Sequence, residues 1–261
     1  MTELTWTKII SQFKTGTWQE FADTIVQEMP VTVYLNDREI ATMLCTPEYL
    51  EELALGFLAS EGFIVDKNEI KDIRTDYLRG MVYVYSTKDN LIAQNSFMKR
   101  LITSGCGKGS SFFNVMDAMQ LRPVQGDIIV SSSTIISLGK KLQNLSSLFR
   151  TTGGVHSAGL CRNGEILVCR DDIGRHNAAD KVIGRCIIEG ITAEDKIFIT
   201  TGRISSEILI KVAKIGIPIL VSRSAPTALA VKLAEKVKVT IVGFVRGNRF
   251  NVYSEPHRVT T

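Results

Sequence analysis

The chain has 261 residues, 44% of them hydrophobic and 22% charged, with a formal net charge of +4 at pH 7. This is the composition of a folded protein with a full core; it excludes a disordered chain, and so mild a charge gives no ground for a nucleic-acid partner. The start, Met1-Thr2-Glu3-Leu4-Thr5-Trp6, lacks the basic segment and apolar run of a signal peptide. No apolar stretch approaches the roughly 20 residues that span a bilayer, so the expectation is a cytoplasmic protein without membrane insertion. Five cysteines (Cys45, Cys106, Cys161, Cys169 and Cys186) stand at unrelated spacings. An odd, scattered set fits reduced thiols rather than a disulfide framework, and without a CxxC pair or a clustered Cys/His set no protein-ligated metal is expected.

In chain order, extended segments are predicted over Val31 to Leu35 and Glu39 to Leu44, joined by Asn36-Asp37. Thr46-Pro47 then places a capping side chain before a proline at a first helical position. In the helix that follows, Leu50, Leu53, Phe57 and Leu58 share one face and Glu61-Gly62 provides a stop. Met81, Tyr83 and Tyr85 alternate as a strand, and a helix is expected between it and the loop Ser104-Gly105-Cys106-Gly107-Lys108-Gly109. Glycines leave that sulfur uncovered and Lys108 favours thiolate, so Cys106 is a candidate reactive thiol; a half-buried cysteine in a loop is the alternative.

The second half reads as a hairpin followed by alternating helices and strands. Val155 to Cys161 and Glu165 to Arg170 turn at Asn163-Gly164, a strong short hairpin signal. Helices near Asn177 to Glu189, Ser205 to Ile215 and Pro226 to Lys236 precede strands at Lys196 to Thr200, Ile217 to Val221 and Val239 to Val245. The expected fold is α/β: a largely parallel sheet covered by helices on both faces (residues 106–261), preceded by a smaller amino-terminal α/β unit (residues 1–105).

In open sheets of this kind the ligand lies beyond the carboxyl ends of the strands. The residues there are Asp172-Ile173-Gly174-Arg175-His176-Asn177, Thr201-Gly202-Arg203, Ser222-Arg223-Ser224-Ala225 and Arg246-Gly247-Asn248-Arg249. Three of these loops lead into helix amino termini, whose free N–H groups suit phosphate, and the arginines add bidentate donors. A phosphate or pyrophosphate ligand is the natural guest. Gly153-Gly154-Val155-His156 is a fifth candidate loop, although His156 could equally be a core histidine. Neighbouring positive charge should keep His176 neutral.

These residues also carry a family resemblance. Cys45 to Gly62 resembles the amino-terminal signature of the formate dehydrogenase accessory sulfurtransferases, the FdhD family. Thr152 to His156, Asp172 to Asn177, Asp180-Lys181, Gly202-Arg203, Ser224 to Thr227 and Gly243 to Gly247 resemble its carboxyl-terminal signatures. The resemblance implies a cytidine-deaminase-like core and a homodimer. It also implies that Cys106 takes sulfur from a cysteine desulfurase as a persulfide. That sulfur would go to the molybdenum of a bis(molybdopterin guanine dinucleotide) cofactor, bound as cargo, before formate dehydrogenase apoenzyme receives it. Phe244, Val245, Arg246, Gly247, Asn248 and Arg249 match the stretch associated with cofactor binding. Gly153, His156, Gly174, Arg175, His176, Asn177, Arg203, Ser224 and Ala225 complete the expected site.

One position departs from the pattern. The family's loop usually reads Cys-Gly-x-Cys, and here the fourth position is Gly109. A relay between two thiols within the loop is excluded, while a single thiolate remains chemically sufficient for persulfide exchange. The alternative from this departure is a cofactor-binding chaperone that moves no sulfur. A zinc hydrolase on the deaminase-like core is disfavoured, because Gly109 removes a ligand.

Overall fold

A computed structural model describes residues 3–87, 100–102 and 122–261. The chain opens with β1 (Thr5–Lys14) and β2 (Thr17–Val26), an antiparallel ribbon, which sequence reading did not anticipate. It continues through β3 (Met29–Leu35), β4 (Arg38–Cys45), α1 (Leu50–Ser60), β5 (Ile70–Asp76), β6 (Met81–Ser86) and β7 (Arg100–Ile102). These five strands form one sheet in the order β5-β6-β3-β4-β7. Val31, Val33 and Leu35 point to one side of β3 at the two-residue period of a strand, and with Val82 and Val84 they pack on Leu50, Leu53 and Leu58 of α1. Asn36 and Asp37 both take positive φ, 46° and 62°, as a tight hairpin turn between right-twisted strands requires.

The remainder comprises β8 (Val130–Ser131), α2 (Ser132–Leu145), α3 (Ser147–Thr152), β9 (His156–Arg162), β10 (Glu165–Asp172), α4 (Arg175–Glu189), β11 (Ile197–Thr200), α5 (Ser206–Lys214), β12 (Ile219–Ser222), α6 (Ala228–Val237), β13 (Thr240–Arg246), β14 (Arg249–Val252) and β15 (Val259–Thr260). Six strands form the central sheet in the order β10-β9-β11-β12-β13-β14. Ile197, Ile199, Ile219 and Val221 face α2 through Ile135, Leu138 and Leu142. Leu160, Phe198, Leu220 and Ile241 face α4, α5 and α6 on the other side. Helices thus cover both faces.

The expectation of a largely parallel sheet needs correction. Only β11–β12 and β12–β13 pair parallel; β10–β9, β9–β11 and β13–β14 are antiparallel. Tight hairpins supply the outer strands at both ends, and a hairpin can only return antiparallel. The turn at Asn163-Gly164 is as predicted, with φ of 50° and 76°.

A second correction concerns Thr46-Pro47. Helix α1 starts at Leu50, its preceding residue Tyr49 is left-handed, and no side chain caps it. Thr46 is spent elsewhere: its N–H donates to Asp172 Oδ2 (3.1 Å) and its Oγ1 accepts from Lys181 Nζ (2.6 Å). Lys181 Nζ lies 2.7 Å from Asp172 Oδ2, with both side chains fully buried. Asp172 Oδ1 accepts from Gly174 N–H and Asn177 Nδ2 (both 2.9 Å), and Asn177 Nδ2 also reaches Leu44 O (2.8 Å). The end of β4 is thereby fastened to the end of β10 and the start of α4.

Helices α1 and α4 cross where both carry glycine. A Cβ on Gly56 would stand 1.8 Å from Asp180 O, and one on Gly184 would stand 1.9 Å from Glu52 O. Around the crossing, Arg170 donates twice to Glu52 (2.5 and 2.8 Å), while Lys211 (2.6 and 2.7 Å) and Ser60 (2.8 Å) donate to Asp180. Gly56→Ala and Gly184→Ala should each lower stability by about 3 kcal/mol or more, since backbone cannot yield as a side chain can. Urea unfolding followed by circular dichroism measures this, and a loss below about 1 kcal/mol would contradict the close crossing.

Candidate functional site

The carboxyl ends of β10, β11, β12 and β13 and the amino end of β9 meet at one edge of the central sheet. The register requires it: Asp172 pairs with His156, Thr200 with Ala158 and with Ser222. A cleft of about 570 Å³ opens there, within the usual range for small-ligand sites. Gly153, Gly154, His156, Ser157, Ile173, Thr201, Arg223, Ser224 and Arg246 are among the residues that line it.

The lining is held by contacts to the backbone. Gly153 ends α3 in the left-handed conformation at φ 66°, returning the chain into β9. Ser224 Oγ donates to Thr201 O (2.9 Å), and Ser222 Oγ accepts from Ser224 N–H (2.9 Å) and donates to Gly202 O (2.6 Å). Arg246 Nε donates to Arg223 O (2.9 Å), and its guanidinium stands 5.6 Å from the Phe244 ring centroid. Phe244 takes φ 55°, uncommon for an aromatic residue, at a bulge between β13 and β14.

The remaining predicted residues divide by place. Arg175 packs against Gly202 and, with Arg203, acts electrostatically on His156. Gly174 and Asn177 belong to the Asp172 node. Val245 is buried in the core against Gly139, and Ala225 O accepts from Ile204 N–H (3.1 Å). Gly247 and Asn248 form the β13–β14 turn, where Lys140 donates to Asn248 (3.3 Å), and Arg249 opens β14. Cys106 lies outside the described residues. Sequence reading did not include the corner between α2 and α3, where Gln143, Ser146 and Phe149 line the cleft. Its one local signal is Ser146, whose Oγ accepts from Phe149 N–H (2.9 Å) as an N-cap and donates to Asp171 (2.7 Å).

Both site histidines are held neutral. Burial, then Arg175 and Arg203, lower the His156 pKa; its Nδ1 stands 3.4 Å from Thr201 Oγ1. Burial, then Lys211 and Arg175, lower that of His176 to about 3. Glu207 lies 3.1 Å from His176 Nε2 and would favour an imidazolium, but desolvation and the flanking cations prevail. Among the described residues no group of three or more His, Cys, Asp or Glu side chains could hold a metal ion, and no helix is long and apolar enough to cross a membrane.

The sequence profile of the FdhD/NarQ family matches residues 26–260. The chain belongs to that family. It is 44% identical to the sulfur carrier protein FdhD of Bacillus pumilus over 253 residues, 97% of each chain. It is 45% identical to the sulfur carrier protein FdhD of Listeria monocytogenes over 253 residues, 96% of this chain and 97% of that one. A crystal structure of a candidate formate dehydrogenase accessory protein from Desulfotalea psychrophila superposes with a TM-score of 0.82 at 30% identity, covering 98% of this chain and 100% of that one.

The lowered His176 pKa makes this family member's stability depend on pH. Between its ordinary value of 6.5 and about 3, the unfolded chain binds the proton that the folded one refuses. The neutral-histidine contribution is complete above about pH 6.5 and is lost as pH falls through that window. His156 acts in the same direction. His176→Gln should flatten the fall in urea midpoint between pH 6.5 and 4.5; an unchanged slope would contradict the assignment.

Proposed function

We propose that this protein carries sulfur as a persulfide on Cys106, from a cysteine desulfurase to the molybdenum of a bis(molybdopterin guanine dinucleotide) cofactor destined for formate dehydrogenase apoenzyme. The observation that carries this reading is the arginine-walled cleft. Its donors are two arginines, with neutral His156, Thr201 and Ser224 beside them; that is the chemistry of a pyrophosphate or nucleotide site, and about 570 Å³ accommodates a nucleotide end of the cargo. Similarity to sulfur carrier proteins supports sulfur carriage. The two helix-covered faces around parallel β11, β12 and β13 support the cytidine-deaminase-like core, and the carrier in this reading is a homodimer.

The thiols support it by elimination. Cys45, Cys161, Cys169 and Cys186 are buried or half-buried, and burial pushes each thiol up to about 12, so none is a thiolate near neutral pH. Cys106 remains. Its thiolate attacks the terminal sulfur of the desulfurase persulfide; the new S–S bond forms as the old one breaks, and the desulfurase cysteine leaves as thiolate. The cargo would supply both the sulfur acceptor and, because the terminal sulfur of a persulfide is zero-valent, the two electrons that leave it as sulfide. Arg223 and Arg246 would hold its phosphates, and Cys106 is released as thiolate, ready for another round.

Intact mass after incubation with a cysteine desulfurase and cysteine should show a reductant-sensitive gain of one sulfur, about 32 Da, absent from Cys106→Ala. No gain in the unaltered protein, with guanine nucleotide still bound, would replace sulfur transfer by a chaperone role. Arg223→Gln and Arg246→Gln should each weaken GDP binding about 10-fold or more, less so at high salt. Equal affinity in calorimetry would remove the cleft from the cargo site.

A further inference from the structure

Asp171 has a feature that the stability of the fold does not explain. Its Oδ2 accepts from Ser146 Oγ (2.7 Å), while its Oδ1 is buried and has no hydrogen-bond partner among the described residues. A buried acceptor left unmet costs free energy. Asp172 and Asp180, in the same half of the molecule, are each matched by a lysine ammonium; Asp171 has no such cation among the described residues. It pairs with Ser157 across β10 and β9, and both Ser146 and Ser157 line the cleft, so the carboxylate lies against the lining.

The carboxylate decides what Ser146 can offer. An ionised carboxylate only accepts, so the 2.7 Å contact commits the single hydroxyl proton of Ser146 to Asp171. One lone pair of Ser146 Oγ takes the Phe149 N–H (2.9 Å), and a second is left. Ser146 is thereby an acceptor for a ligand N–H and has no proton to give one. Phe149, 38% exposed, brings an aromatic ring to the same corner, and Gln143, three residues before Ser146, adds an amide that donates and accepts. An aromatic ring with an acceptor beside it suits a nucleobase, which stacks by its face and is read by its edge.

Strand order separates this corner from the arginines. Asp171 and Ser157 lie on β10 and β9, whereas Arg223 follows β12 and Arg246 ends β13. β9 and β13 are three places apart, roughly 14 Å at about 4.8 Å per strand. That span is of the order of a nucleoside diphosphate from base to terminal phosphate. The buried carboxylate repels phosphate at one end, and the guanidinium groups attract it at the other. We propose that Ser146, held as an acceptor by Asp171, reads the 2-amino group of guanine, with the base stacked on Phe149 and the phosphates toward Arg223 and Arg246. Ser146 is then a specificity-determining residue and Asp171 a positioning residue. The assignment rests on the reading of the cleft as the cargo site and adds the orientation of the cargo within it.

The test is calorimetry with GDP and with IDP, which differs only in lacking the 2-amino group, with circular dichroism to verify folding. The unaltered protein should bind GDP about 10-fold more tightly, as one hydrogen bond is worth. Ser146→Ala and Asp171→Asn should each bring the two affinities within about 2-fold, the first by removing the acceptor, the second because an amide can donate to the hydroxyl and release its proton. Ser146→Thr, which keeps the hydroxyl and the cap of α3, should retain the preference. A distorted cleft weakens both ligands alike, so the ratio separates base reading from packing. Phe149→Ala should weaken GDP and IDP alike, about 10-fold or more. Equal binding of GDP and IDP by the unaltered protein, a preference that survives Ser146→Ala or Asp171→Asn, or unweakened binding by Phe149→Ala would each overturn the proposal. If Arg223→Gln and Arg246→Gln still weaken GDP binding in that event, only this inference falls; if they do not, the cargo reading of the cleft falls with it.

Discussion

The buried pair of Lys181 and Asp172 is the constraint on which the rest depends. Both side chains are fully buried, 2.7 Å apart. Removing one partner of such a pair leaves an unpaired buried charge at a cost of about 3–5 kcal/mol. The surrounding hydrogen bonds answer this burial: Thr46 contributes N–H and hydroxyl, and Gly174 and Asn177 complete the carboxylate. These partners come from β4, the turn after β10 and the start of α4. One polar node therefore fixes the amino-terminal sheet against the central one at the edge where the cleft opens. The glycine crossing at Gly56 and Gly184 makes this possible, since larger residues would separate α1 from α4 and draw Lys181 away from Thr46.

Electrostatics at that edge are divided by depth. Deep charges are matched: Lys181 with Asp172, Lys211 with Asp180, Arg170 with Glu52. In the cleft, Arg223 and Arg246 share the lining with His156, whose pKa is lowered by burial and by Arg175 and Arg203. A protonated histidine there would add positive charge but surrender its acceptor nitrogen; a neutral one keeps one donor and one acceptor. The cleft thus offers guanidinium groups for anions and an uncharged imidazole for hydrogen bonding.

Much of this was legible in sequence where the signal is local. Asn163-Gly164 specified a hairpin because few residues accept two successive positive φ values. The loops after Asp172, Thr200 and Ser222 were readable because strand and helix alternate by period. Thr46 misled: threonine before proline is a helix-start pattern, and its engagement by residues over 120 positions away has no local signature. The β1–β2 ribbon was missed because both faces carry apolar residues, Ile9, Phe13 and Trp18 on one and Trp6, Ile10 and Phe21 on the other, which erases the two-residue period. The α2–α3 corner was missed because its contribution to the cleft is set by how α2 lies on the sheet.

Topology also ties the far edge of the amino-terminal sheet to the cleft. β7 runs parallel to β4, with Ile102 beside Met43. Three residues after Met43 the chain reaches Thr46, which is bonded to the Asp172 node. Ile102 is therefore held beside the strand that leads into the same node. A break at the node would therefore free the sheet that carries β7 from the central sheet that carries the cleft, even with the cleft chemically intact.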